Sequence, residues 1–304
     1  MRIGLTAGAP TVDAMIRQAE QAEADGFSSL WYASNVGGDP LVAIALAGRA
    51  TTRIELGTAV LQTYPCHPLL QANRVAAAAN GMGRAGFTLG IGPSHQALVS
   101  DVYGMSYDHP GRNTEEYVQI LTTLLREREA DISGADWSVH TIEPVATAEY
   151  PMPVLLSAMS PRMLRVAGRY TDGTVCWMAS AKVIETRVTP AITAAAGEAG
   201  RPAPRIVAGL PVAVHDDVDE ARAAAGVAAS VYSTLPNYKR ILDAGGLGGA
   251  ADAAIVGDEK SVSAQLQALL DAGATDIWAA TVPVGADRRS SIRRTRDLLR
   301  SLIQ

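Results

Sequence analysis

The stretch PVLLSAMSPRMLRVAGRYTDGTVCWM, Pro153 to Met178, decides the fold. A short apolar run, PVLLSAM, gives way at Ser160 to a pattern of helical period, and a second apolar run, TVCWM, follows without a hairpin turn between them. Two buried strands joined by a helix form a βα crossover, which makes the strands parallel. Ser160 suits the cap position and Pro161 the first helical position. Such a helix start carries unpaired N–H groups and a positive dipole end that attract phosphate, with Arg162 beside it. An ordinary well-capped crossover helix explains the same residues.

The same unit repeats in both directions. RIGLTAG, SSLWYAS, IELGTAVL and AGFTLGIG read as the first four strands. PVLLSAM, TVCWMAS, RIVAGLPVAV and TDIWAATV read as the fifth to the eighth. Helical patterns follow them, with Gly26 closing the first helix, Asp39–Pro40 opening the second and RRSSIRRTRDLLRSLI closing the chain. SGADWSVHTIEP reads as a hairpin outside the repeat. Residues 215–256 hold more helix than one crossover needs and read as an insertion after strand seven. Eight βα pairs in 304 residues predict an α/β fold, a (β/α)8 barrel forming a single domain over residues 1–304.

Composition removes several functions. No apolar run approaches the roughly 20 residues of a membrane span, and MRIGLTAGAP has no leader pattern, so a cytoplasmic protein without a membrane partner is expected. A net charge of −5 gives no footprint for nucleic acid. Cys66 and Cys176 lack metal-ligand spacing, so no metal site is expected and both read as reduced thiols.

In a barrel of this class the chemistry lies where strands end and the next loop begins. That rule selects Ser34 and Asn35, Ala59 to Tyr64, Gly92 to His95, Ser157 to Ser160 and Trp177 to Ser180. His95, one of five histidines, ends the FTLGIGPSHQ segment and titrates in the right range for a general acid or base. It serves equally well as a loop residue near a helix start. Ser94 is a candidate cap for SHQALVSDVYG. Gly90 and Gly92 would allow close approach by a ligand or another backbone. His67 reads as part of a helix entrance. Trp31, Tyr64 and Trp177 are candidate walls for a flat apolar ligand, although strand-end aromatics commonly belong to the core. Tyr232, Tyr238 and Lys239 in the insertion are possible substrate contacts, and the arginines of the last helix read as a solvated face.

GFSSLWYAS, RIELGTAVLQTYPCHPLLQA, GRAGFTLGIGPSHQ, YDHPGRNTEEYVQIL and the opening stretch together resemble the bacterial luciferase-like monooxygenase superfamily. They are closest to its branch that uses coenzyme F420, a deazaflavin. The resemblance implies a homodimer and an oxidoreductase that transfers a hydride between the coenzyme and a small organic substrate. A flavin monooxygenase using reduced FMN, or a non-catalytic coenzyme-binding homologue, is the alternative.

Residue by residue, Ala59 and Val60 match the pair that forms a cis peptide behind the coenzyme ring, and Ser157, Ala158, Met159 and Ser160 match the loop cradling the ribityl and phosphate part. Ser34, Asn35, Gly92, Ser94 and Trp177 complete the expected coenzyme contacts. His95 falls where some relatives carry a catalytic glutamate, which makes it the expected catalytic residue. Ser34 and Asn35 replace an Asp and His found in many relatives, so a mechanism relying on that histidine does not transfer.

Overall fold

The computed structural model describes residues 1–35 and 38–303. Eight parallel strands form its centre: β1 (Ile3–Ala7), β2 (Ser29–Tyr32), β3 (Glu55–Thr58), β4 (Phe87–Gly92), β5 (Val154–Leu156), β6 (Gly173–Trp177), β7 (Arg205–Val214) and β8 (Asp276–Thr281). Each pairs with the next, and Ile3 of β1 lies opposite Ile277 of β8, so the sheet closes on itself as expected. Both faces of these strands are covered, which is why they read as continuous apolar runs.

Crossover helices form the outer layer: α1 (Val12–Ala24), α2 (Pro40–Ala50), α3 (Pro68–Met82), α4 (Pro110–Glu127), α5 (Pro161–Tyr170) and α6 (Thr189–Glu198). Three of their starts follow one local rule. Asp39 Oδ1 accepts from Leu41 N at 3.0 Å, His67 Nδ1 from Leu69 N at 3.2 Å and Ser160 Oγ from Met163 N at 3.3 Å, each just before a proline. The strands Asp131–Ser133 and Ser138–His140 form the expected antiparallel hairpin.

After β7 come α7 (Val218–Ala228), α8 (Ser230–Thr234) and α9 (Pro236–Gly245). The expectation of helix through residue 256 is corrected at its end, where Ile255–Gly257 is a strand paired with Val212–Val214 of β7. β7 runs past its neighbours: β6 pairs only as far as Gly209 and β8 as far as Val212. The short strand covers the edge that β7 would leave unpaired. α10 (Glu259–Asp271) and α11 (Arg288–Ser301) complete the chain.

Trp31, Leu155, Val175, Val207 and Trp278 fill the barrel, with Ala59, Val60 and Trp177 packed on them. Ionic groups close the opposite, N-terminal end. Arg205 Nη2 lies 2.7 Å from Asp276 and its Nη1 2.7 Å from Glu55, while Arg2 bridges the same two carboxylates. Among the described residues no helix is long and apolar enough to cross a membrane. The arginines of α11 pair on the outer surface, Arg294 with Glu259 and Asp216, and Arg296 with Asp25.

Candidate active site

At the C-terminal end of the barrel the strand ends surround a cavity of about 930 Å³. The backbone there departs from regular strand. The Ala59–Val60 peptide bond is cis, in the position where the sequence resemblance puts one. Ser94 after β4 and Met178 after β6 both have φ of +64°, a left-handed conformation that non-glycine residues seldom adopt away from functional sites. Neighbouring groups hold both turns. Tyr107 Oη donates to Ser94 O at 3.0 Å, and Met178 N donates to Gly209 O at 3.0 Å. The first of these holds the turn from which the next residue, His95, joins the cavity lining.

Ser34, Asn35, Ala59, Val60, Ser94, His95, Ser157 and Trp177 all line this cavity. Gly92, Met159 and Ser160 line an adjoining cleft of about 350 Å³, which shares Val60, Ser94, His95, Ser157 and Tyr238 with the cavity. A Cβ at Gly92 would lie 3.0 Å from Val60 Cγ2 and 3.1 Å from Ser157 Cβ, so glycine there lets β3 and the loop after β5 close on one another. Ala158 stands apart from the other expected contacts. It is buried behind the loop, its N–H donating to Thr174 Oγ1 at 3.2 Å, and lines neither space.

Four other expectations are corrected by long-range packing. Ser94 is no helix cap: the turn after it begins at Ala97 without a side-chain cap, and its left-handed backbone serves the Tyr107 contact instead. Trp31 is fully buried below the mouth, and Tyr64 is buried against Tyr107 outside the cavity. Lys239 is exposed away from the lining, although Tyr232 and Tyr238, which precede it in sequence, do face the cavity.

The sequence alone passes over Trp278, which lines the cavity from β8, although its position in an eighth strand was the available signal. Trp278 begins a continuous aromatic series. Its ring centroid lies 4.8 Å from that of Trp177, which lies 5.7 Å from Tyr232; Tyr232 lies 4.8 Å from Tyr238, and Tyr238 lies 5.7 Å from His95. The wall thus runs from β8 through the insertion to the loop after β4. Burial lowers the His95 pKa below its ordinary 6.5, so the imidazole is neutral at pH 7. Burial also raises the Tyr232 phenol, which stays protonated.

The adjoining cleft differs in charge. It holds Ser160 and Pro161 at the start of α5 together with Arg162, Arg187 and Arg240. Arg162 forms a 2.8 Å ion pair with Glu115 of α4. Arg187 and Arg240 come from the segment before α6 and from α9, and no sequence motif links them to Ser160.

Residues 1–302 match the family described as luciferase-like monooxygenase. The chain belongs to that family. It is therefore an enzyme, and its luciferase-like relatives divide by coenzyme. It is 30% identical over 227 residues to an F420-dependent hydroxymycolic acid dehydrogenase of Mycobacterium tuberculosis, spanning 70% of this chain and 62% of that one. Its fold matches the coenzyme F420-dependent tetrahydromethanopterin reductase of Methanopyrus kandleri with a TM-score of 0.78 at 21% identity, over 97% of each chain. It also matches the oxygenating component of the 3,6-diketocamphane monooxygenase of Pseudomonas putida in complex with FMN, with a TM-score of 0.75 at 16% identity over 100% and 97% of the two chains.

Proposed function

We propose that this luciferase-like enzyme is a coenzyme F420-dependent oxidoreductase that moves a hydride between the deazaflavin and a small organic substrate. One observation carries the reading: a largely apolar cavity opens, past Val60, Ser94, His95 and Ser157, into a cleft bearing three arginines and a helix start. A flat ring suits the Ala59–Val60 step, where any Cβ at Gly92 would crowd the cradle. A phosphate suits the first turn of α5. Arg187 and Arg240 extend the positive lining beyond that point, where a deazaflavin carries further acidic groups and FMN carries none.

The bound coenzyme supplies the two-electron carrier. The chain's own groups do the rest. Ala59 and Val60 back the ring, Trp177 and Tyr232 keep water from the reacting face, and His95 handles the substrate proton. A neutral imidazole takes the proton from an alcohol as the hydride leaves, and the imidazolium so formed returns that proton to the carbonyl oxygen in the reverse direction.

Titration of the purified protein with coenzyme F420 and with FMN, followed by quenching of tryptophan fluorescence, tests the reading. F420 is expected to bind at least tenfold more tightly. Equal or tighter binding of FMN, with oxygen consumption when the flavin is reduced, would replace the proposal with the monooxygenase reading.

A further inference from the structure

The two spaces are segregated by charge. Arg162, Arg187 and Arg240 face the cleft and none of them lines the main cavity. Among the described residues only Asp39 and Arg74 bring formal charge to the cavity, and they are ion-paired with each other. Arg74 is further occupied, donating to Gln71 Oε1 at 3.3 Å and to Cys66 Sγ at 3.5 Å. His95 is neutral. A phosphate, carboxylate or ammonium brought into this cavity would therefore lose its hydration without gaining a free partner of opposite charge. A continuous part of the lining is aromatic, the series Trp278, Trp177, Tyr232, Tyr238 and His95.

We infer that the substrate is an uncharged, flat, α,β-unsaturated carbonyl compound, held between the coenzyme ring on the Ala59–Val60 side and the wall formed by Trp177 and Tyr232. The inference rests on the hydride-transfer reading above. Planar π faces pack on such a wall in offset or edge-to-face contact, which saturated molecules do not reproduce. In the reducing direction the substrate's β-carbon accepts a hydride from the reduced deazaflavin, which is left oxidised by two electrons. The C=C electron pair moves toward the carbonyl, and the resulting enolate takes one proton, delivered through His95 from solvent. Tyr232 is the specificity-determining residue. It reaches the cavity from α8, so the insertion after β7 selects the substrate.

Isothermal titration calorimetry on the full chain tests this, using trans-4-phenyl-3-buten-2-one as the neutral probe and trans-cinnamate as an anion of similar shape. Each is titrated into protein alone and into protein saturated with F420, and F420 itself is titrated into every variant. The enone is expected to bind at least about a hundredfold more tightly than cinnamate. Tyr232→Ala should weaken the enone about tenfold, Tyr232→Phe should restore it, and F420 affinity should stay within about twofold. Cinnamate binding as tightly as the enone, or an enone affinity indifferent to Tyr232→Ala, would overturn the inference. Failure of F420 to bind, with the enone preference intact, would overturn the coenzyme reading while supporting the aromatic slot. Normal F420 binding without an enone preference would do the reverse.

Discussion

Gly209 on β7 lies directly against the indole of Trp278 on β8: a Cβ at position 209 would overlap Trp278 Cε3 and sit 2.9 Å from Cε3 of Trp177. The missing side chain is what lets the two indoles stand 4.8 Å apart at the base of the aromatic wall. Gly209→Ala should therefore displace both rings and cost about 1–3 kcal/mol of stability, as overpacking does. Thermal unfolding reads the loss, and near-ultraviolet circular dichroism reads the displaced tryptophans. An unchanged aromatic spectrum would show that the glycine does not set their positions.

His95 carries a pH prediction of definite sign. Its folded pKa is lowered by burial, so an imidazolium donor is lost as pH rises through a value below 6.5. The rate of substrate reduction should accordingly level off at pH below that value and fall as pH rises through and beyond it. His95→Gln should lower kcat by about a hundredfold, remove that pH dependence and leave coenzyme affinity within about twofold. Stability runs the other way. Burial keeps the folded histidine neutral, so its contribution is full above 6.5 and is lost as pH falls.

The cleft arginines predict a salt effect. Arg187 and Arg240 face the space assigned to the acidic tail of the coenzyme. Arg187→Ala with Arg240→Ala should weaken F420 by about tenfold at low ionic strength and by much less at 0.5 M salt, because screening shortens the reach of exposed charges. FMN affinity should change little. Parallel losses for both ligands would place the arginines' effect on the shared phosphate instead.

At the closed end of the barrel, Asp276 is nearly inaccessible. Burial raises its carboxyl pKa, but the hydrogen bonds and charge of Arg205, with Thr275 and Arg2, overcome this and hold it below its ordinary 3.8. That stability is present above pH 3.8 and is lost as pH falls through the lowered value. Asp276→Asn should cost about 3 kcal/mol at pH 7, the low end for a broken buried pair because Glu55 still holds Arg205. Urea unfolding at pH 7 and at pH 3 checks it. The gap between variant and wild type should narrow at the lower pH, and a gap independent of pH would separate the loss from the carboxylate charge.

The alternation of strands and helices was legible in the residues because each parallel strand is buried on both faces and each helix on one. The starts of α2, α3 and α5 were legible too, since a cap and a following proline act within one turn of chain. His95 and the Ala59–Val60 step could be placed because strand ends in this barrel class share one face. Ser94 misled because a serine ahead of a helical pattern suggests a cap, whereas its backbone here answers to Tyr107, thirteen residues away. Tyr64 misled for a related reason, its ring being claimed by Tyr107 before it could face the mouth.

By itself the sequence determined the parallel βα order of the chain and the rim on which its chemistry falls, because periodicity, capping and strand-end position are local properties. Only the tertiary structure decided which side chains meet. Trp278 and Tyr232 share one wall, and Ser160 and Arg240 one cleft, though barrel closure and the folding back of the insertion bring each pair from distant parts of the chain. The charge segregation between those two spaces arises the same way. It depends on Arg74 finding Asp39 across α2 and α3, a pairing made by packing and invisible in the spacing of the residues.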